Sequence, residues 1–153
     1  MIAELGSAAR GSDRFIHLRR PVPLAPIYPQ AARAAGVLWV GGIVGDSGGN
    51  TSGAGRRVLG TPGMAVEARL GPAAVATLKA YDDLARVLAA DGLRLRDVVK
   101  TTIYMTDPND LPAVEAATRA VFPRNPPAVT VVGVHSLPVP AAKVQMEIVA
   151  RGR

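Results

Sequence analysis

The stretch Val98-Val99-Lys100-Thr101-Thr102-Ile103-Tyr104-Met105 is rich in β-branched residues and reads as a buried strand. It lies between two stretches of helical pattern. Upstream, from Pro72 to Ala90, Val75, Leu78, Leu84, Val87 and Leu88 form the apolar stripe of an amphipathic helix, and Gly92 supplies a left-handed stop. Downstream, Asp110 is the candidate N-cap of a second helix that tolerates Pro112 in its first turn and runs to about Phe122. Pro126-Pro127 then breaks the helical pattern.

Strands are predicted on either side of this unit. Arg14 to Leu18 is a first short strand, and Val37-Leu38-Trp39-Val40-Gly41-Gly42-Ile43-Val44 is a buried one whose paired glycines permit close approach of a backbone or a ligand. Between them Pro21, Pro23, Pro26 and Pro29 forbid a helix and hold Tyr28 in extended chain. Residues 46–55 form a Gly/Ser/Asn-rich loop, and Arg56 to Leu59 a returning strand. Val129 to Val134 and Lys143 to Val149 complete the order β, β, β, α, β, α, β, β, an α+β class. Trp39 is expected in the core, His17 at a strand edge and His135 at the surface.

At 153 residues the chain has one domain's worth of sequence. The expected organisation is a loose leader over 1–13 and a single domain over 14–153. With no cysteine, disulfides, thiolate metal sites and a Cys nucleophile are excluded, and two histidines far apart form no ligand pair. Neither a metal nor a cofactor is expected. No apolar run has the length of a membrane span or of a signal sequence, so a cytoplasmic protein is the expectation. The net charge of +6 comes from scattered Arg residues, and aromatics are 4% of the chain, so no basic stripe with aromatic platforms marks a nucleic-acid partner.

Two strings mimic known devices. Gly45-Asp46-Ser47-Gly48-Gly49 spells the surroundings of a serine-protease nucleophile, but the His and buried Asp that activate such a serine have no matching context here. Gly48 to Gly55 resembles a phosphate loop without its lysine.

Read together, several segments resemble the YjgF/RidA (reactive intermediate deaminase) family. They are Ala90-Asp91-Gly92 through Asp97-Val98-Val99-Lys100 into the strand, Asn109-Asp110-Leu111, Phe122-Pro123, Pro126-Pro127-Ala128, and Leu137-Pro138 with Val144 to Ala150. Ile27-Tyr28-Pro29-Gln30 and Val40-Gly41-Gly42-Ile43 extend the likeness, which covers about residues 14–150. The resemblance implies a chorismate-mutase-like mixed sheet packed against two helices, a homotrimer, and small-molecule clefts at the subunit interfaces. It also implies an Arg after Pro-Ala that grips a carboxylate, and a Glu on the last strand that orients water.

The sequence departs at both places. Val129 follows Pro127-Ala128, and Gln145 stands in Val144-Gln145-Met146. Val129 cannot grip a carboxylate and Gln145 cannot act as a base, which disfavours a standard 2-imino acid deaminase. Arg119 and Arg124 are the candidates to replace the missing guanidinium. The catalytic set implied is Glu115, Tyr28 and Gln145; the substrate-binding set is Gly41, Gly42, Ile43, Val129, Thr130, Val131 and Arg119. Each polar member has a plainer reading: Glu115 pairing with Arg119 at i+4 on a solvated face, Tyr28 as a core-edge aromatic, and Gln145 turned to solvent by strand alternation. The expectation is a divergent enzyme acting on an imine, enamine or related carbonyl intermediate, with a non-catalytic metabolite-binding protein as the alternative.

Overall fold

In the computed structural model the described residues are 14–16, 28–45 and 70–152. They form one mixed six-stranded sheet of order β1-β2-β3-β6-β4-β5. The strands are β1 (Arg14–Ile16), β2 (Ala31–Ala34), β3 (Val37–Gly45), β4 (Val98–Met105), β5 (Ala128–Gly133) and β6 (Val144–Arg151); the helices are α1 (Pro72–Ala90) and α2 (Leu111–Val121). All pairings are antiparallel except β4 with β5, which a crossover through α2 makes parallel.

Helix α1 starts where its residues allow. Gly71 enters at φ 79°, Pro72 takes the first helical position, and the helix ends with Gly92 at φ 72°. Leu93 N–H donates to Leu88 O at 2.9 Å and Gly92 N–H to Ala89 O at 3.1 Å, a Schellman closure. The predicted stripe is buried in full: Val75, Leu78, Leu84, Val87 and Leu88 are at most 1% exposed. Leu84, Val87 and Leu88 pack with Leu38, Val40 and Ile43 of β3 and Met146 and Ile148 of β6 in one core, while Leu78 clusters with Ala74 and with Ala117 of α2. Each such side chain contributes roughly 1.5–3 kcal/mol of burial. Tyr81 meets Phe122 edge-on with centroids 5.5 Å apart, locking α1 to the end of α2.

At the start of α2, Asp110 occupies the N-cap position without a side-chain cap bond. Its carboxylate instead meets Lys143 Nζ at 3.0 Å, tying the helix to the start of β6. Asp107 does the capping one turn earlier, accepting from Asn109 N–H at 2.9 Å in a 3-10 turn over Pro108–Asp110.

Two expectations change. Ala31–Ala34 is a strand, paired on both sides by β1 and β3. It turns into β3 through Ala35 (φ 49°) and Gly36 (φ 78°), the two positive φ values of a tight hairpin turn. Trp39 is 47% exposed rather than in the core, because Leu38 and Val40 take the helix-facing positions and strand alternation puts Trp39 on the other face. The predicted strand at 56–59, His17, most of the proline stretch, the glycine-rich loop and the leader lie outside the described residues.

Candidate functional site

The two faces of the sheet carry different chemistry. On β6, Val144, Met146, Ile148 and Ala150 are buried toward the helices, so Gln145, Glu147 and Val149 share the opposite face. Register brings Gln145 beside Tyr104 and Glu147 beside Thr102 on β4, and Thr102 beside Thr130 on β5. The Tyr104 hydroxyl donates to Glu147 Oε1 at 3.0 Å, and Lys100 Nζ donates to the Thr130 hydroxyl. Accepting that bond leaves Glu147 facing a proton that Tyr104 does not readily lose, so the Tyr104 hydroxyl titrates above its usual range. A hollow of about 380 Å³ opens on this face, floored by Lys100, Thr102 and Glu147 and walled by Trp39 and Gly41.

Gly41 and Gly42 form the irregularity in β3, where the register with β6 shifts between Val40 and Ile43. Gly41 N–H donates to Gln30 O at 2.9 Å. Gln145 occupies the space a side chain at Gly42 would need. Its Oε1 is buried and accepts no hydrogen bond from the described residues, which leaves an unsatisfied acceptor beneath this face.

The second site lies between α2 and the edge strand β5. A trough of about 220 Å³ is lined by Glu115, Thr118, Arg119 and Phe122 from the helix side and by Ile103, Pro126, Val129 and Val131 below. Val129 pairs with Thr101 and Val131 with Ile103, which sets both on the helix-facing side of β5. Its walls are apolar, and Glu115 and Arg119 are the two charged residues among those lining it. Both are exposed, and among the described residues no ion pair joins them.

The structure therefore gathers Glu115, Arg119, Val129 and Val131 in the trough and Gly41, Gly42, Gln145 and Thr130 on the far face. Ile43 is 2% exposed, inside the core. Tyr28 is 67% exposed and lines neither hollow. Arg124 is exposed and does not line the trough. Among the described residues no three His, Asp or Glu side chains converge as metal ligands, and no helix is long and apolar enough to cross a membrane. Sequence reasoning missed the Tyr104–Glu147 and Lys100–Thr130 pairs. Their signal is period two: polar residues at 100, 102 and 104 and at 145 and 147 alternate with the core positions of both strands.

Known proteins match this fold and this sequence. The sequence model described as Endoribonuclease L-PSP matches residues 57–151. A 2-iminobutanoate/2-iminopropanoate deaminase of Dermatophagoides farinae is 28% identical over 127 residues, covering 83% of this chain and 86% of that protein. Yeast Mmf1 superposes with a TM-score of 0.70 at 18% identity, over 93% of this chain and 100% of that one. The YjgF gene product of E. coli does so with a TM-score of 0.69 at 23% identity, over 92% and 99%. At these identities the structural likeness is one of fold, an α+β mixed sheet with two helices. With the sequence match spanning more than half of it, the chain belongs to the YjgF/RidA family and is related to imine deaminases.

Proposed function

We propose that this chain is a divergent RidA-like enzyme that acts on an imine, enamine or related carbonyl intermediate in a cleft completed by neighbouring copies of a homotrimer, and that it is not a standard 2-imino acid deaminase. The observation that carries the reading is the composition of the α2–β5 trough: an aliphatic Val129 on the strand and a carboxylate, Glu115, on the helix above it. Val129 offers an acid substrate no cation on the strand, where the family resemblance implies an Arg; the guanidinium that does line the trough, that of Arg119, stands a helical turn from Glu115, which can move protons. Gln145 and Glu115 lie on opposite faces of one sheet, so a cleft using both needs more than one copy of the chain.

The chemistry such a site can run is hydrolysis of C=N. Water adds to the imine carbon while one of its protons passes to Glu115. That proton returns to the nitrogen to give the carbinolamine, whose C–N bond then breaks as its hydroxyl proton passes to the leaving nitrogen, yielding a carbonyl compound and ammonia. The Gln145 amide oxygen can accept a hydrogen bond from the water, but it cannot take its proton.

The test is Glu115→Ala. Ammonia release above the spontaneous rate from imines without an α-carboxylate, generated in situ by an amine oxidase, is lost, while the melting temperature and the oligomeric mass stay those of the parent. A fully active Glu115→Ala protein removes the assignment. Ligand-dependent thermal stabilisation without any product, in the parent protein, identifies a metabolite binder instead.

A further inference from the structure

A threonine inside a helix commonly turns its hydroxyl back onto the carbonyl four residues earlier. Thr77 in α1 does so, donating to Ala73 O at 2.7 Å. Thr118 in α2 does not. Among the described residues its hydroxyl makes one hydrogen bond, accepted from the Tyr81 hydroxyl at 3.4 Å. Tyr81 is fully buried, so its proton needs an acceptor inside the protein. The Thr101 hydroxyl beside it, also fully buried, makes no hydrogen bond, which leaves the Thr118 oxygen as the acceptor. Thr118 therefore keeps its own proton to give, and no described residue takes it. The side chain is half-buried and lines the trough three residues beyond Glu115, on the same face of α2. Its neighbours Phe122, Val129 and Val131 offer no side-chain acceptor. Because the Tyr81 ring also stands edge-on to Phe122, the phenol cannot leave Thr118 without breaking that packing.

Resting on the reading of this trough as the substrate cleft, we infer that the Thr118 hydroxyl is its substrate-contacting hydrogen-bond donor, set in the donating direction by Tyr81. It selects ligands that present an uncharged acceptor, a C=N nitrogen or a C=O oxygen, on an apolar skeleton. A free hydroxyl rotates between donating and accepting. One that already accepts from a buried phenol is preorganised as a donor, and a ligand then loses less freedom in meeting it. The contact holds the acceptor atom next to Glu115, so the C=N nitrogen waits beside the carboxylate that exchanges protons with it. Tyr81 touches no ligand and acts through Thr118, which makes it a positioning residue.

Two uncharged probes of one shape isolate that contact. Cyclopentanone and methylenecyclopentane differ by a carbonyl oxygen against a methylene group, so the ratio of their dissociation constants reports the bond to the oxygen. Titrated into the full-length protein by NMR, the ratio shifts against the ketone by about fivefold in Thr118→Val and in Thr118→Ala, the scale of one hydrogen bond. Thr118→Ser, which keeps the hydroxyl, keeps the parent ratio. Tyr81→Phe, which keeps the ring, loses part of it. Each ratio is taken within one variant, so a change in stability cancels. A ratio indifferent to Thr118→Val or to Tyr81→Phe, a ratio lost in Thr118→Ser, or no binding of the ketone by the parent overturns the inference. Binding is read without turnover. A protein whose ratio depends on Thr118 but that releases no ammonia sinks the enzymatic reading alone; Glu115-dependent turnover with a ratio indifferent to Thr118 sinks this inference alone.

Discussion

Gln145 lies across Gly42 of the neighbouring strand, so closely that a Cβ on Gly42 would stand 1.9 Å from Gln145 Nε2 and 2.9 Å from its Cδ. Gly45, three residues on, has a harder neighbour: a Cβ there would meet the Ala76 backbone oxygen of α1 at 2.1 Å. A flexible amide can swing aside and a helix backbone cannot. Gly42→Ala is therefore expected to cost about 1 kcal/mol and to displace the Gln145 amide, whereas Gly45→Ala costs about 3 kcal/mol or more. Urea midpoints of the two variants check the order, and the reverse order would contradict the packing described.

The β2–β3 turn predicts a stabilising change. Ala35 holds φ 49°, a left-handed conformation that costs an alanine roughly 1 kcal/mol and that Asn adopts more readily. Ala35→Asn ahead of Gly36 completes the Asn-Gly pair preferred in such hairpins, and thermal unfolding should rise accordingly, by about 0.5–1 kcal/mol at the midpoint. A lowered midpoint would mean that the turn does not form as described.

This turn also shows why part of the fold was hidden in the sequence. Helix α1 was legible from its apolar period, α2 from Asp110 and Pro112 at its start, and strands β4, β5 and β6 from runs rich in β-branched and other apolar residues. Ala31-Ala32-Arg33-Ala34 has no such signal, since Ala and Arg are helix formers; pairing to β1 and β3 overrides that preference. Trp39 was misplaced because Val37-Leu38-Trp39-Val40 is apolar on both faces and conceals its own alternation. The proximity of Glu115, Arg119 and Val129 follows from helix spacing and the short α2–β5 connection. That Gln145 faces away from them depends on β6 lying between β3 and β4, a non-local pairing that no local pattern encodes.

Alkaline pH should unfold this protein through Tyr81. The ring is buried in the core, and the loss of hydration raises its hydroxyl from 10.0 to about 12, an effect moderated by hydrogen bonding to Thr118. The folded state thus holds its proton more tightly than the unfolded chain. That stability is fully present below pH 10 and is lost as pH rises through about 12, amounting to on the order of 2–3 kcal/mol. Urea unfolding at a series of alkaline pH values should show the decline, and Tyr81→Phe should flatten most of it. The raised Tyr104 hydroxyl acts in the same direction from its half-buried position.

The two departures at the site should be coupled. Val129 is 42% exposed on an edge strand, so Val129→Arg is expected to fold, placing a guanidinium in the trough beside Glu115. Gln145→Glu restores a carboxylate on the other face of the sheet, where it can take a proton from water. Neither alone supplies both a grip on an α-carboxylate and a base, so each single variant should leave hydrolysis of 2-iminopropanoate near the parent rate. The double variant should exceed the product of the single effects by about tenfold or more, a coupling energy of the size seen between groups acting on one substrate. Within one chain the sheet separates positions 129 and 145, so such coupling requires the face of one copy to meet the trough of another. Independent, multiplicative effects would place the two residues in separate sites and remove the case for a shared cleft.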